Sequence, residues 1–141
     1  MSADLTGALA AEEAAIYAYG LIGVRFSVTG ERDEARAAEQ EHRQRRDYLV
    51  SRLDQLKTSA APAPAGYEMP FAVTDRASAL KMAIRVEDGV AQAWRATLPA
   101  TEPAARSTAL ANLTASAVRA TRWRRLAELT PLTLAFPGRP S

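Results

Sequence analysis

Apolar residues recur along this chain at alternating steps of three and four positions, the spacing that places side chains on one face of a helix. Four segments show the pattern, over about residues 3–28, 31–57, 76–98 and 104–129. Thr29 and Gly30 are expected to end the first helix, and Leu110, Leu113, Ala117 and Ala120 are expected to face inward on the fourth. Between the second and third lies 58–75, where several prolines and a glycine forbid a regular helix. The pattern predicts an all-α protein, an up-down four-helix bundle with one long crossover between helices 2 and 3.

The non-helical segments carry apolar side chains that favour packing on the bundle. The crossover 58–75 contains Tyr67, Met69, Phe71 and Val73, and the tail 130–141 contains Leu132, Leu134 and Phe136. Either Thr74 or Asp75 is expected to cap the third helix. A length of 141 residues suits one domain, 1–141, with a single modest core. A hairpin, a long crossover and a second hairpin form the arrangement of ferritin-like bundles.

Charged residues interrupt three of the predicted inward stripes. Glu12 lies between Leu9 and Ile16, and Glu87 lies between Ile84 and Ala91. The second helix places Glu39, His42 and Arg46 at successive inward positions, and His42 is the single histidine of the chain. Residues three apart share a helix face, and Glu-x-x-His is a ligand pair of di-iron four-helix bundles. Metal ligation is therefore one hypothesis for these side chains.

The fourth helix cannot complete a two-metal site. No Asp, Glu or His occurs between Pro103 and Ala127. The spacing from Glu12 to His42 is 42 − 12 = 30 residues, and the same spacing from Glu87 falls on Ala117. Helix 4 offers arginines instead, of which Arg119 or Arg122 could reach Glu87 or Glu12 with a forked contact.

Two main interpretations of the centre follow. In the first, a metal-free network of buried ion pairs holds the helix register; its members are Glu12, His42, Arg46, Glu87, Arg119 and Arg122. In the second, a reduced site holds one iron, manganese or zinc ion through Glu12, His42 and Glu87, with Glu39 as a further candidate ligand. A small organic ligand at the same place is a third interpretation.

Composition narrows the classes of function. The chain has no cysteine, which excludes disulfides, thiolate nucleophiles and iron–sulfur clusters. The longest uncharged run of the first helix, 14–24, has 11 residues, whereas a membrane span needs about 20. The first twelve residues contain no Lys or Arg, unlike a signal peptide. We therefore expect a soluble cytoplasmic protein without a membrane partner.

The arginines of helix 4 raise the question of nucleic acid. The segment 119–125 has four arginines around Trp123, a combination that can grip single strands. Basic residues near a helix C-terminus are also the expected complement of the helix dipole, and the net charge is only +2. Nucleic-acid binding is therefore kept as a second alternative.

Five stretches of the chain resemble a ferritin-like domain family of actinomycetes that has no assigned function. They are LAAEEAAIYAYGLIG (9–23), EHRQRRDYL (41–49), YEMPFAVTDRASAL (67–80), EDGVAQAW (87–94), and AVRATRWR with AFPG (117–124 and 135–138). The resemblance implies a ferritin-like bundle, a homodimer and no established activity. In that family the first motif reads Glu-His where this chain has Glu12 and Glu13. This implies that Glu12 is the inward acid and that one potential ligand is missing.

The expected function follows from the incomplete centre. We expect a structural or interaction protein, not an enzyme, that pairs with itself or binds a protein partner. An oxidase-like or iron-handling protein with a reduced metal site is the alternative.

Overall fold

The computed structural model describes residues 2–100 and 102–140. Within these ranges the chain forms four long helices, α1 (Ser2–Ile22), α2 (Thr29–Gln55), α3 (Arg76–Thr97) and α4 (Pro103–Leu126), and no strand. Short 3-10 helices follow α1 at Gly23–Arg25 and α3 at Leu98–Ala100. The long connection lies between α2 and α3. The predicted all-α four-helix bundle is confirmed.

The first helix ends earlier than its apolar pattern predicts. α1 gives way to a 3-10 turn at Gly23, and Phe26 adopts an extended backbone. The Phe26 ring is buried, with its centroid 5.6 Å from that of Trp123 on α4. Thr29 and Gly30, expected to end the first helix, instead begin α2. Packing of Phe26 therefore sets this corner, and the turn-forming Thr-Gly pair does not.

The second half of the crossover is tied to the bundle. Near its middle the Tyr67 ring lies 5.2 Å from that of Tyr17 on α1, measured between centroids. Met69, Phe71 and Val73 then pack against the core. At the end Asp75 caps α3: its carboxylate accepts from the Ser78 amide at 2.8 Å, and the Ser78 hydroxyl accepts from the Asp75 amide at 3.1 Å. This capping box fixes where α3 begins.

Helix 4 faces the core through a different stripe from the one its leucines suggested. Leu110, expected to point inward, is 53% exposed. The buried residues of α4 are Ala109, Leu113, Ser116, Arg119, Ala120 and Trp123. Trp123 lies against Tyr19 and Phe26, and the burial of this large ring sets the rotation of the helix. Contrary to expectation, Leu134 and Phe136 of the tail are exposed too, and Gly138 makes the buried contact.

The four helices enclose a core that a polar layer divides in two. Helix α1 packs on α2 and α3, and α3 packs on α4. Among the described residues, no Cα atom of α2 lies within 8 Å of one in α4, so this side of the bundle is the widest. One apolar cluster contains Tyr19, Ile22, Phe26, Leu80 and Trp123; the other contains Leu9, Leu49, Leu53, Val90 and Trp94. Between them lie buried charged residues from all four helices.

Across residues 2–100 and 102–140, no helix combines the length and the apolar character that crossing a lipid bilayer requires.

Candidate functional site

His42 on α2 lies between two carboxylates that come from neighbouring helices. Its Nδ1 is hydrogen-bonded to Glu12 Oε1 on α1. Its Nε2 lies 2.9 Å from Glu87 Oε2 on α3. All three side chains are completely buried. One imidazole therefore joins three helices at the middle of the bundle.

The two carboxylates keep His42 protonated. Burial by itself would lower the pKa of the imidazole, but the hydrogen bonds to Glu12 and Glu87 and their negative charges raise it to about 9. An imidazolium donates from both ring nitrogens, as the two contacts require. Burial likewise favours a higher pKa for Glu87, yet the hydrogen bond to His42 and its charge hold that pKa below the ordinary value. At neutral pH the three groups form an ionised triad.

Three aromatic side chains donate hydrogen bonds to the triad or its partners. The indole of Trp94 donates to Glu12 Oε2 at 2.6 Å, and the Tyr19 hydroxyl donates to Glu87 Oε2. The indole of Trp123 donates in turn to the Tyr19 hydroxyl at 3.0 Å. Burial, followed by the nearby charge of Glu87, raises the pKa of Tyr19 well above its usual value. Tyr19 is therefore a neutral donor at any physiological pH.

Two arginines connect the triad to α4 across the widest side of the bundle. Arg45 Nη1 lies 3.6 Å from Glu12 Oε2 and donates to Ser116 Oγ at 2.8 Å. Arg45 Nη2 contacts Glu41, which also accepts from Arg119 Nη1 at 3.0 Å. The charges of Glu12, Glu87, His42 and Arg45 cancel, as do those of Glu41 and Arg119. The layer is therefore electrically balanced without a metal ion.

The structure corrects the predicted membership of this layer on α2. Arg46 points away, with 32% of its side chain exposed and its contact made to Asp47, whereas Arg45 occupies the buried position. Glu39 does not reach His42 and pairs with Arg43 at 3.4 Å. The inward stripe of α2 consists of Ala35, Ala38, His42, Arg45, Leu49 and Leu53. Of the three polar residues predicted for this stripe, only His42 lies on it.

On α4 one of the two proposed arginines faces the core. Arg119 is buried, but it contacts Glu41 and Glu34 instead of Glu87 or Glu12. The side chain of Arg122 is 56% exposed, and its partner is Glu34 at 3.4 Å. Sequence reasoning missed Ser116, which receives the Arg45 bond. Nothing in a helical stripe shows that the indole of Trp94 will meet a carboxylate 82 positions away.

The geometry of the centre bears on metal binding. Among the described residues, no group of three His, Asp or Glu side chains is arranged to hold a metal ion. A histidine that binds a metal must be a neutral imidazole with a free lone pair on one nitrogen. Both nitrogens of His42 are instead hydrogen-bonded to carboxylates. Two buried polar atoms of the layer, Glu87 Oε1 and Arg45 Nε, have no hydrogen-bond partner among the described residues.

Removal of Arg45 is expected to destabilise the bundle far more than removal of its neighbour. Arg45→Met removes the buried guanidinium that contacts Glu12, Glu41 and Ser116, so the free energy of unfolding should fall by about 3 kcal/mol. Arg46→Met is the matched control and should change it by about 0.5 kcal/mol or less. Urea unfolding followed by circular dichroism gives both values. If both variants lost the same free energy of unfolding, Arg46 would belong to the buried layer as well as Arg45.

Stability should decrease as the solution becomes alkaline. The pKa of His42 is raised from 6.5 to about 9, so its contribution is complete below pH 6.5 and is lost as pH rises through 9. A shift of this size corresponds to on the order of 3 kcal/mol of unfolding free energy. Urea unfolding between pH 6 and pH 9.5 measures the loss. The double variant His42→Gln with Glu87→Gln keeps the Glu12–Arg45 pair and should show little of this slope; an equal slope would assign it to other groups.

Comparison with other proteins finds similar proteins but no known activity. The structure is similar to the crystal structure of a conserved hypothetical protein, rv2844, from Mycobacterium tuberculosis: the TM-score is 0.83 and the identity 40%, over 88% of this chain and 94% of that chain. No curated protein matches the chain. Residues 4–141 match the family described as "Domain of unknown function (DUF4439)". The match spans nearly the whole chain, so this protein belongs to that family of domains of unknown function.

Proposed function

We propose that this protein is a non-catalytic interaction module of ferritin-like arrangement, in which a metal-free ion-pair layer holds the helices in register. The observation that carries the proposal is His42, whose two ring nitrogens are both engaged by carboxylates. The hairpin, crossover and second hairpin support the ferritin-like arrangement. Fold alone carries no activity, so the argument rests on the centre itself.

The burial of the triad supports a structural role. Glu12, His42 and Glu87 have no exposed surface, and catalysis would require a substrate atom within hydrogen-bonding reach of one of them. Buried charges are tolerated when they are paired and hydrogen-bonded, as all of these are. Each pair forms in one register only, because a shift of one residue would carry a charge into an apolar cluster. The layer therefore specifies how the helices align.

An exposed apolar stripe on α1 and the turn after it supports self-association. Residues 14–24 carry no charge. Within this range, exposed side chains recur at the four- and three-residue spacing of one helix face: Tyr17, Leu21 and Val24, of which Val24 is 77% exposed. Val28, in the connection that leads to α2, is also exposed. Contiguous apolar surface of this kind marks interaction sites, and two-fold pairing is the commonest form of assembly. The partner that we propose for this stripe is a second copy of the chain, in a cytoplasmic setting.

A single-metal protein is the second candidate, and one observation favours it. Glu87 Oε1 is a buried carboxylate oxygen to which no described residue donates, and such an atom is costly unless something binds it. Iron, manganese or zinc at this place would take Glu87, Glu12 and the deprotonated His42 as ligands. The cost of removing the proton from an imidazole with a pKa of about 9 counts against this candidate.

The arginines of α4 lend less support to nucleic-acid binding than their number suggests. Arg119 and Arg122 are paired with Glu34 or Glu41, and Arg124 is paired with Asp88. Guanidinium groups in carboxylate pairs must give them up to bind phosphate. The cluster is better explained as part of the network that joins α4 to its neighbours.

Native mass spectrometry of the untagged protein tests both candidates at once. We expect a homodimer of two chains with no bound metal. Val24→Asp should give a monomer, because the new charge lies in the apolar stripe; Val50→Asp, an exposed valine on α2, is the matched control and should remain dimeric. A monomer for the unaltered chain at all concentrations would contradict self-association. One metal ion per chain, lost in His42→Gln, would replace the metal-free centre by the second candidate.

A further inference from the structure

A concave groove lies on the outer side of the bundle, away from the His42 triad, between α4 and the C-terminal tail. Its volume is about 410 Å³, within the usual range of roughly 300–1,000 Å³ for ligand pockets. Leu110, Leu113 and Val118 of α4 form one wall, and Leu134 and Pro137 of the tail form the other. The groove is therefore apolar on both sides and of the size of one small molecule.

The tail packs on the bundle through the buried Gly138. Gly138 has φ +80°, a conformation that favours glycine. A Cβ atom added there would lie 2.8 Å from the Ala91 carbonyl oxygen and 2.9 Å from Leu113 Cδ1, too close for any side chain. Beside it Arg95 donates to the Pro137 carbonyl at 3.3 Å. Gly138 is the buried residue of the tail within 130–140, so the outer wall of the groove depends on this contact.

Among the described residues that line the groove, none offers an unpaired charge to a ligand. Its two charged residues, Asp88 and Arg124, bind each other: Arg124 Nη1 donates to Asp88 Oδ1 at 3.3 Å, and Nη2 donates to Oδ2. The remaining polar groups are threonine hydroxyls, and that of Thr121 already donates to the Ala117 carbonyl at 3.0 Å. A charged ligand would lose its hydration and gain no counter-ion here. The lining selects an uncharged molecule.

We propose that this groove binds a small, uncharged, predominantly apolar molecule, with the tail held by Gly138 as its outer wall. The ligand covers Leu110 and Val118, which are otherwise half-exposed on a surface helix. Thr114 and Thr133 supply hydrogen bonds to a polar group on it. The concave shape and the raised tail wall fit a single molecule better than the flat face of a second chain. The site is independent of the ion-pair layer and of its proposed role.

The uncharged apolar dye Nile red serves as the probe, in a fluorescence titration of the full chain. We expect saturable binding of one dye per chain. Ala117→Leu fills the groove without touching the tail, Gly138→Ala displaces the tail, and Leu110→Asn makes an exposed part of the wall polar. Each should weaken binding at least tenfold. Leu110 is half-exposed, so its replacement leaves the fold intact and keeps the test valid if another variant unfolds.

Two controls separate this site from the rest of the molecule. Gly30→Ala adds a methyl group that meets no atom within 4 Å, and Val50→Asp alters a distant exposed position; neither should change the affinity for the dye. Unchanged affinity in all three groove variants would overturn the proposal, as would several dyes per chain without saturation. The proposal would also fail if Leu110→Asn dissociated the dimer, because the groove would then be the contact between chains.

Discussion

The hydrogen bonds between the protonated imidazole of His42 and the carboxylates of Glu12 and Glu87 are the interaction on which the rest of the structure depends. They join α1, α2 and α3 at one level of the bundle, where all three side chains are fully buried. A charge at this depth is stable only while its partners remain, so the three helices cannot slide independently. The apolar clusters above and below supply most of the driving force for folding, and the triad determines the register in which they form.

The same layer explains how α4 is connected to α2 although α4 carries no acid and no histidine. Its backbone stays farther from α2 than the other neighbouring helices do from each other. Arg45 and Arg119 cross that gap with long side chains, ending on Ser116 and Glu41. Their stems contribute apolar contact and their guanidinium groups satisfy the carboxylates. In a two-metal site, ligands from helix 4 would connect that helix to the centre. Here two arginines make the connection, Arg45 from α2 and Arg119 from α4.

The spacing of apolar residues predicted the fold and part of the centre. It failed where residues of one class, either charged or uncharged, occur on every face of a helix. Glu12 and Glu87 stand out because each breaks an otherwise apolar stripe. On α2, charged residues occur at 39, 41, 43, 45 and 46, so the phase of the helix could not be read from them and Arg46 was taken for Arg45. On α4, residues 107–118 are uncharged all round, and Leu110 was misplaced for the opposite reason. The partners of Tyr19 and Trp94 are set by tertiary packing.

The protonation state of His42 can be observed directly, since the chain has one histidine. Protein with ¹⁵N-labelled histidine would be followed by NMR between pH 6 and pH 10. An imidazolium between two carboxylates predicts two slowly exchanging ring N–H signals at pH 7 and a titration midpoint near 9. A single N–H signal at pH 7, with a midpoint at or below 6.5, would show a neutral imidazole. That result would contradict the ion-pair layer and return His42 to the candidates for metal ligation.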